Sequence, residues 1–200
     1  MPARSDTLGD MATATAPPGT ALWSPDLDTY HRMAELGLFG EQRVELLDGV
    51  LVAMSPKNAP HEEALHFLTE CGFTTIDLRT HQIRNQSSLS LGEGWEPEPD
   101  LAIVRRDVER PYHPGTAELV CEVAATSLRI DRTTKLALYA RAGIPEYWVV
   151  DVNARVVEVH TEPQKGSYAT TIRLGSGTLA AQRVPFNVPL DDLWAATPPR

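Results

Sequence analysis

Cysteine is scarce in this chain: Cys71 and Cys121 are the two among 200 residues. A disulfide framework or a thiolate zinc site needs more ligands at closer spacing, so both are excluded. Cys121 lies in an apolar strand-like run and Cys71 in a helical one, and both read as small core residues. Long hydrophobic runs are also missing. Nothing approaches the roughly 18 apolar residues of a membrane span, so no membrane partner is expected. The opening "MPARSDTLGDMATATAPPGT" has no apolar stretch of the kind a secretory signal carries. It reads as a disordered tail over residues 1–22, and a reducing cytoplasm is the expected compartment. Positive charge is short as well, with 18 Lys and Arg against 27 Asp and Glu and a net charge of −9. That excludes a nucleic-acid coat protein, because phosphate binding rests on clustered positive charge. Any nucleic-acid contact would have to be local. The candidates are Arg79, His81 and Arg84, then Arg105, Arg106 and Arg110, then Arg129, Arg132, Lys135 and Arg141.

What remains is ordinary globular composition, 42% hydrophobic and 22% charged, enough for a core without covalent staples. No repeat and no long linker divides the chain, so one domain is expected over residues 23–200. "WSPDLDTYHRMAELG" predicts a short helix capped by Ser24, with Pro25 in its first turn and Gly37 at its end. "RVELLDGVLVAMSP" alternates on both sides of Asp48-Gly49 and predicts a hairpin. "HEEALHFLTECGFTTIDLR" predicts a helix, weakened by Gly72 and the threonine pair, and "HQIRNQSSLSL" one or two extended segments. "DLAIV" and "AELVCEVA" are apolar enough to be central strands. A second clear helix follows, with Asp131 as its cap, Leu136, Tyr139 and Ala140 on one face, and Gly143 and Pro145 at its end. "YWVVDV" and "RVVEVHT" predict another hairpin around Asn153, "SYATTIRL" and "TLAAQRV" weaker strands, and the last fifteen residues loop with one helical turn. Neighbouring antiparallel strands mixed with helices give an α/β or α+β domain around a mixed sheet.

The chemistry concentrates in "WEPEPDLAIV" and "ELVCEVAATS". Asp100 stands at the mouth of one apolar run and Glu122 inside another, where an unpaired charge is costly. If the two strands pair, both carboxylates converge at one edge of the sheet. Mg²⁺ takes oxygen ligands, commonly one or two protein carboxylates completed by water or phosphate oxygens. Such a metal activates water and neutralises charge on a phosphoryl group. Lys135, one turn into the following helix, could reach back to orient water or hold a phosphate oxygen. Glu45, just before Asp48-Gly49, is a fourth candidate.

Each has a plainer reading. Asp100 could cap strand-end amides, Glu122 could alternate outward on an exposed face, Lys135 could be a solvated helix lysine, and Glu45 could form a cross-strand ion pair. His61 and His66, five apart, miss the i, i+4 spacing of a helical metal site and read as surface or core residues. Tyr147 and Trp148 read as core packing with a satisfied indole.

"RVELLDGVLVAMSP", "EPEPDLAIV" and "LVCEVAATSLRIDRTTKLALYARAGIPEYWVVDV" together resemble the Uma-two family of restriction-endonuclease-like proteins, a branch of the PD-(D/E)XK nuclease superfamily. The resemblance runs from about Asp26 to Leu193. It implies an α/β, restriction-endonuclease-like core, a mixed β-sheet flanked by helices, and a divalent-metal site for Mg²⁺ or Mn²⁺. By position, Pro99-Asp100 matches the "PD" and makes Asp100 the central metal ligand, while Glu122 matches the second acid. The commonest superfamily pattern puts a lysine at the position of Ala124; this family takes it from the next helix, where Lys135 stands. Glu45 matches an acid that assists the metal site, and Gln86 a polar position before "PD". Ala125 departs from relatives that carry a polar residue there. The implied activity is Mg-dependent endonuclease cleavage of DNA, with DNA as partner and a homodimer as one open arrangement. The competing reading is a catalytically inactive nuclease-fold binding or regulatory module, motivated by the charge balance and by Ala125.

Overall fold

The chain is described here from a computed structural model covering residues 23–54, 56–92, 94–110 and 112–197. The expected tail over residues 1–22 lies outside the described residues. Helix α1 (Leu27–Glu35) starts at Asp26, whose carboxylate accepts the Thr29 N–H at 2.8 Å. The cap is therefore Asp26 rather than Ser24: two capping residues flank Pro25, and the chain uses the second. Strands β1 (Val44–Leu47) and β2 (Val50–Ala53) form the expected hairpin, paired Leu47 to Val50. Asp48 and Gly49 both hold positive φ, 53° and 73°, the left-handed pair that a tight two-residue hairpin turn requires.

Helix α2 (Ala59–Thr75) is capped by Asn58, whose side chain accepts the His61 N–H at 3.1 Å. Gly72, which weakens the helical pattern in sequence, has a packing reason. A Cβ there would meet Ile83 Cδ1 at 2.8 Å, so its absence lets the next strand approach. That strand is β3 (His81–Asn85), followed by β4 (Leu101–Arg105) and β5 (Leu119–Ala124). After β5 come a short helix α3 (Leu128–Ile130), one π-helical turn (Asp131–Lys135) and helix α4 (Leu136–Arg141). Strands β6 (Glu146–Asp151), β7 (Val156–Gln164) and β8 (Ser167–Leu174) complete a six-stranded sheet in the order β3-β4-β5-β6-β7-β8. Neighbours are antiparallel except β5 and β6, which are parallel. A parallel pair needs a crossover, and the helical segment from α3 to α4 supplies it. The sheet is mixed and flanked by helices, as expected.

Two apolar layers cover the sheet. One holds Ala64, Leu65 and Leu68 of α2, Leu190, Leu193 and Trp194, and Leu101, Ile103, Leu119, Cys121 and Val123 of β4 and β5. The other holds Leu138 and Tyr139 of α4, Leu47 of β1 and the even-numbered residues Ala102, Val104, Val120 and Ala124. Trp148 is fully buried in the first layer and donates its indole N–H to Glu146 Oε1 at 2.7 Å, the satisfied core indole that was expected. The chain ends in a small hairpin, β9 (Thr178–Ala180) with β10 (Asn187–Pro189), and helix α5 (Leu190–Ala196). β10 was expected as loop; it is a strand because Val188 is buried in the core. No helix among the described residues is long and apolar enough to cross a membrane.

Candidate active site

Strand parity brings the two predicted carboxylates to one face. Leu101 and Ile103 of β4 point to the α2 layer and Ala102 and Val104 to the α4 layer. Asp100, one residue before the strand, shares the parity of Ala102. In β5, Val120 and Ala124 point to the α4 layer, and Glu122 between them does the same. Leu101 pairs with Cys121, so one further step of the register sets Asp100 opposite Glu122. Both line a single cavity of about 500 Å³, together with Glu45 and Lys135. The reading of Glu122 as an outward, exposed residue fails, since it is 3% exposed.

Lys135 is not solvated either. Its Nζ donates to Glu122 Oε1 at 3.0 Å and lies 3.4 Å from Glu45 Oε2. Tyr139, one turn on, donates its hydroxyl to the same Glu122 oxygen at 2.8 Å. Glu45 Oε2 also accepts the Glu98 N–H at 3.2 Å, which ties the first hairpin to the strand leading into Asp100. Asp100 is held on both oxygens: Oδ2 accepts the Val123 N–H and His61 Nε2 stands against Oδ1, each at 2.9 Å. Gln86 sits at the margin, with Nε2 3.5 Å from Asp100 Oδ1. Ala124 shares the face of Glu122 without a charge, and Lys135 brings an ammonium there from the π-helical turn. Such turns, rare elsewhere, concentrate at functional sites.

The charges in the cavity do not balance. Burial raises the Glu122 carboxyl well above its ordinary range, and Asp100, Asp131 and Glu45 push further the same way, against one lysine. Asp131 is raised to about 6, first by burial, against the pull of Lys135 and a hydrogen bond from Ser127. Burial alone would lower the Lys135 pKa, but Glu122, Glu45 and Asp131 outweigh it, and the ammonium is held above its ordinary range. Burial pushes Asp100 up too, yet His61, the Val123 N–H and Lys135 together hold it below the usual carboxylate value.

Three participants escaped the sequence. His61 sits at the start of α2 and reaches Asp100 across 39 residues of chain, a contact no local spacing reveals. Asp131 was expected to cap the helix; it is buried inside the helical segment, lines the cavity and accepts the Ser127 hydroxyl at 2.6 Å. Acidic residues read alike at a helix start whether they cap or reach inward. Tyr139 was expected as core and is core, but its hydroxyl is bound to the site. Four of the ten basic-cluster residues, by contrast, are spent on neighbouring acids: Arg79 on Asp77, Arg105 on Asp107, Arg132 on Asp151 and Glu158, and Arg141 on Asp48. Lys57 and Arg129 line the cavity.

The donor set fits a hard cation. Its acids are oxygen donors in excess over the cationic side chains they touch, which is what Mg²⁺ and Mn²⁺ meet in carboxylate sites. The acids are not drawn into a tight cage. Among the described residues, the group of three His, Cys, Asp or Glu with donor atoms all within 4.8 Å lies elsewhere, at His31, Glu96 and His113.

Residues 27–188 match the Uma2 family, described as "Putative restriction endonuclease", and the chain belongs to that family. The fold is similar to a crystal structure of a putative nuclease of the DUF820 group from Anabaena variabilis. That likeness has a TM-score of 0.68 at 12% identity and covers 87% of this chain and 99% of that one. A weaker likeness, TM-score 0.40 at 15% identity, is to the type IIG restriction endonuclease BpuSI, over 68% of this chain and 15% of that one. No curated protein matches the chain.

Proposed function

We propose that the protein is a metal-dependent endonuclease hydrolysing DNA phosphodiester bonds. The observation that carries this reading is the excess of buried acid at the mouth of β4 and β5. Glu45, Asp100, Glu122 and Asp131 line one cavity, with Lys135 set between Glu45 and Glu122. Asp100 and Glu122 are the residues that would hold Mg²⁺ or Mn²⁺, and a bound dication supplies Lewis-acid stabilisation of phosphoryl charge and a more acidic water. His61 and the Val123 amide fix the Asp100 carboxylate. Lys135, held protonated by its three acidic neighbours, orients the attacking water or takes a phosphate oxygen. Glu45 and Tyr139 position Lys135 and Glu122 rather than touch substrate. Lys57 and Arg129 face the cavity and can meet the flanking phosphates. Phosphodiester hydrolysis is slow enough uncatalysed that electrostatic preorganisation of this kind has to supply much of the acceleration.

The test is incubation of the purified chain with supercoiled, linear and single-stranded DNA in Mg²⁺ or Mn²⁺. Cleavage that stops with EDTA and in Asp100→Ala is expected; no cutting of any form with either metal would overturn the reading. A second reading, a binding or regulatory module without catalysis, is favoured by the pairing of Arg79, Arg105, Arg132 and Arg141 with acids. It expects no metal uptake at the cavity. Calorimetric Mn²⁺ binding that disappears in Glu122→Ala would exclude it.

A further inference from the structure

A second set of ligating side chains lies away from the cavity. His31 projects from α1, Glu96 from the segment before Asp100, and His113 from the loop between β4 and β5. His31 Nε2 stands 3.1 Å from Glu96 Oε2, and His113 Nε2 stands 3.5 Å from Glu96 Oε1. One donor atom from each of the three lies within 4.8 Å of the others. None of the three lines the cavity of Asp100 and Glu122.

Glu96 is the unusual member. Its side chain is fully buried, and Oε1 has no hydrogen-bond partner among the described residues. A buried carboxylate with a free oxygen is costly unless a cation meets it. Both imidazoles are aimed at it and keep a path to solvent, with 23% and 36% of their side chains exposed. The surroundings fix the three in place. Ser90 donates its hydroxyl to Glu96 Oε2 at 2.8 Å and accepts the backbone N–H of His113 at 3.1 Å, so one side chain orients the carboxylate and anchors the loop that carries His113. The His31 ring stacks on Tyr112 at 4.2 Å, and Tyr112 hydrogen-bonds back to Asp28 on the same helix. Glu96 itself is bridged by backbone hydrogen bonds to Leu46 of β1. Outer contacts of this kind are what hold metal ligands in orientation.

We propose that His31, Glu96 and His113 form a binding site for a first-row transition dication, Zn²⁺ foremost, separate from the oxygen-rich cavity. Two imidazoles and one carboxylate are the donors such ions select, whereas Mg²⁺ takes oxygen alone. A tetrahedron with bonds of about 2.0–2.1 Å has edges of about 3.3 Å, so little movement is needed to seat the ion. Three protein donors leave one position for water. The ion would join α1, the β1 edge and the loop between β4 and β5. Glu96 lies on the short segment that continues through Glu98, bonded to Glu45, into Asp100, so the ion would also anchor one end of the strand that delivers Asp100.

The test uses the full chain stripped with EDTA, titrated calorimetrically with Zn²⁺ and spectroscopically with Co²⁺. One equivalent of Zn²⁺ and visible Co²⁺ d–d bands are expected for Asp100→Ala/Glu122→Ala, which lacks the cavity's own ligands, and at least that equivalent for the unaltered chain, whose oxygen-rich cavity can take a further ion. His31→Ala and His113→Ala should each weaken Zn²⁺ by more than the about 10–100-fold that losing a supporting residue costs, and erase the bands. His31→Gln and His113→Gln, which keep side-chain volume, serve if an alanine variant does not fold. No Zn²⁺ binding to the unaltered chain would overturn the site and leave a hydrogen-bonded histidine–glutamate cluster. So would Zn²⁺ binding by Asp100→Ala/Glu122→Ala that survives the further loss of both histidines, or binding that Asp100→Ala/Glu122→Ala abolishes altogether.

Discussion

Glu122 and Glu158 are both glutamates in the central sheet, both 3% exposed, and burial pushes both carboxyls upward. They end in opposite places. Glu158 meets Arg132 at 2.8 Å, Arg173 at 2.6 Å and His160 at 3.7 Å, and these hold it below its ordinary pKa. Glu122 meets one lysine and shares it with three other acids, and it ends well above. Adjacent residues of one π-helical turn serve the two regions, Asp131 facing the first and Arg132 the second. The contrast teaches that burial alone does not mark a site. What separates a structural ion pair from a site is whether the counter-charges are already present, and around Glu122 they are not.

The largest expected effect breaks the comparison by activity. Asp100→Ala or Glu122→Gln should lower DNA cleavage by about 10²–10³-fold or more, read as initial rates of plasmid nicking, while Glu158→Gln leaves the rate within twofold. Equal losses at both glutamates would mean that cleavage does not depend on the charge excess. Next comes Lys135→Met, which removes the one ammonium touching Glu45 and Glu122. Denaturant melts should show a loss of about 3–5 kcal/mol in metal-free protein, and Mg²⁺ should restore part of it. A loss that Mg²⁺ does not touch would argue that no cation occupies the cavity.

Asp131→Asn sharpens the same point through pH. The folded pKa is raised from 3.8 to about 6, so ionising Asp131 opposes folding. The penalty is absent below the unfolded value and fully present above the folded one. The asparagine variant should therefore gain on the unaltered chain as pH rises from 4 to 7, reaching about 1–3 kcal/mol in metal-free melts. A gap that is flat with pH would remove Asp131 from the charge excess. The smallest effect belongs to the balanced region. Arg173 is 66% exposed, so Arg173→Ala should cost no more than about 1 kcal/mol, with Arg132 still paired to Glu158.

Local chemistry made much of the fold legible in the sequence. Asp48-Gly49 announced its hairpin because only a left-handed pair closes that turn, and the apolar runs around Asp100 and Glu122 announced central strands because both their faces are covered. Residues whose partners are distant in sequence were the hard ones. The exchange of Ser24 for Asp26 as a cap was a matter of two residues. The role of His61 depended on how α2 crosses the end of β4, and Asp131 carried the same local pattern as a cap. His31, Glu96 and His113 come from three separate segments, the first two 65 positions apart, and no spacing rule links them.

The π-helical turn between α3 and α4 has a cost and a purpose that a shorter chain would reveal. Such a turn is an α-helix carrying one surplus residue, so deleting Thr133 or Thr134 should let the segment relax into ordinary helix. Asp131 and Lys135 would then stand three apart, still on one helix face, but Lys135 would be turned off the position that sets it between Glu45 and Glu122. The trimmed chain would be the sturdier one and the poorer host for a cation: the surplus residue trades helical regularity for aim.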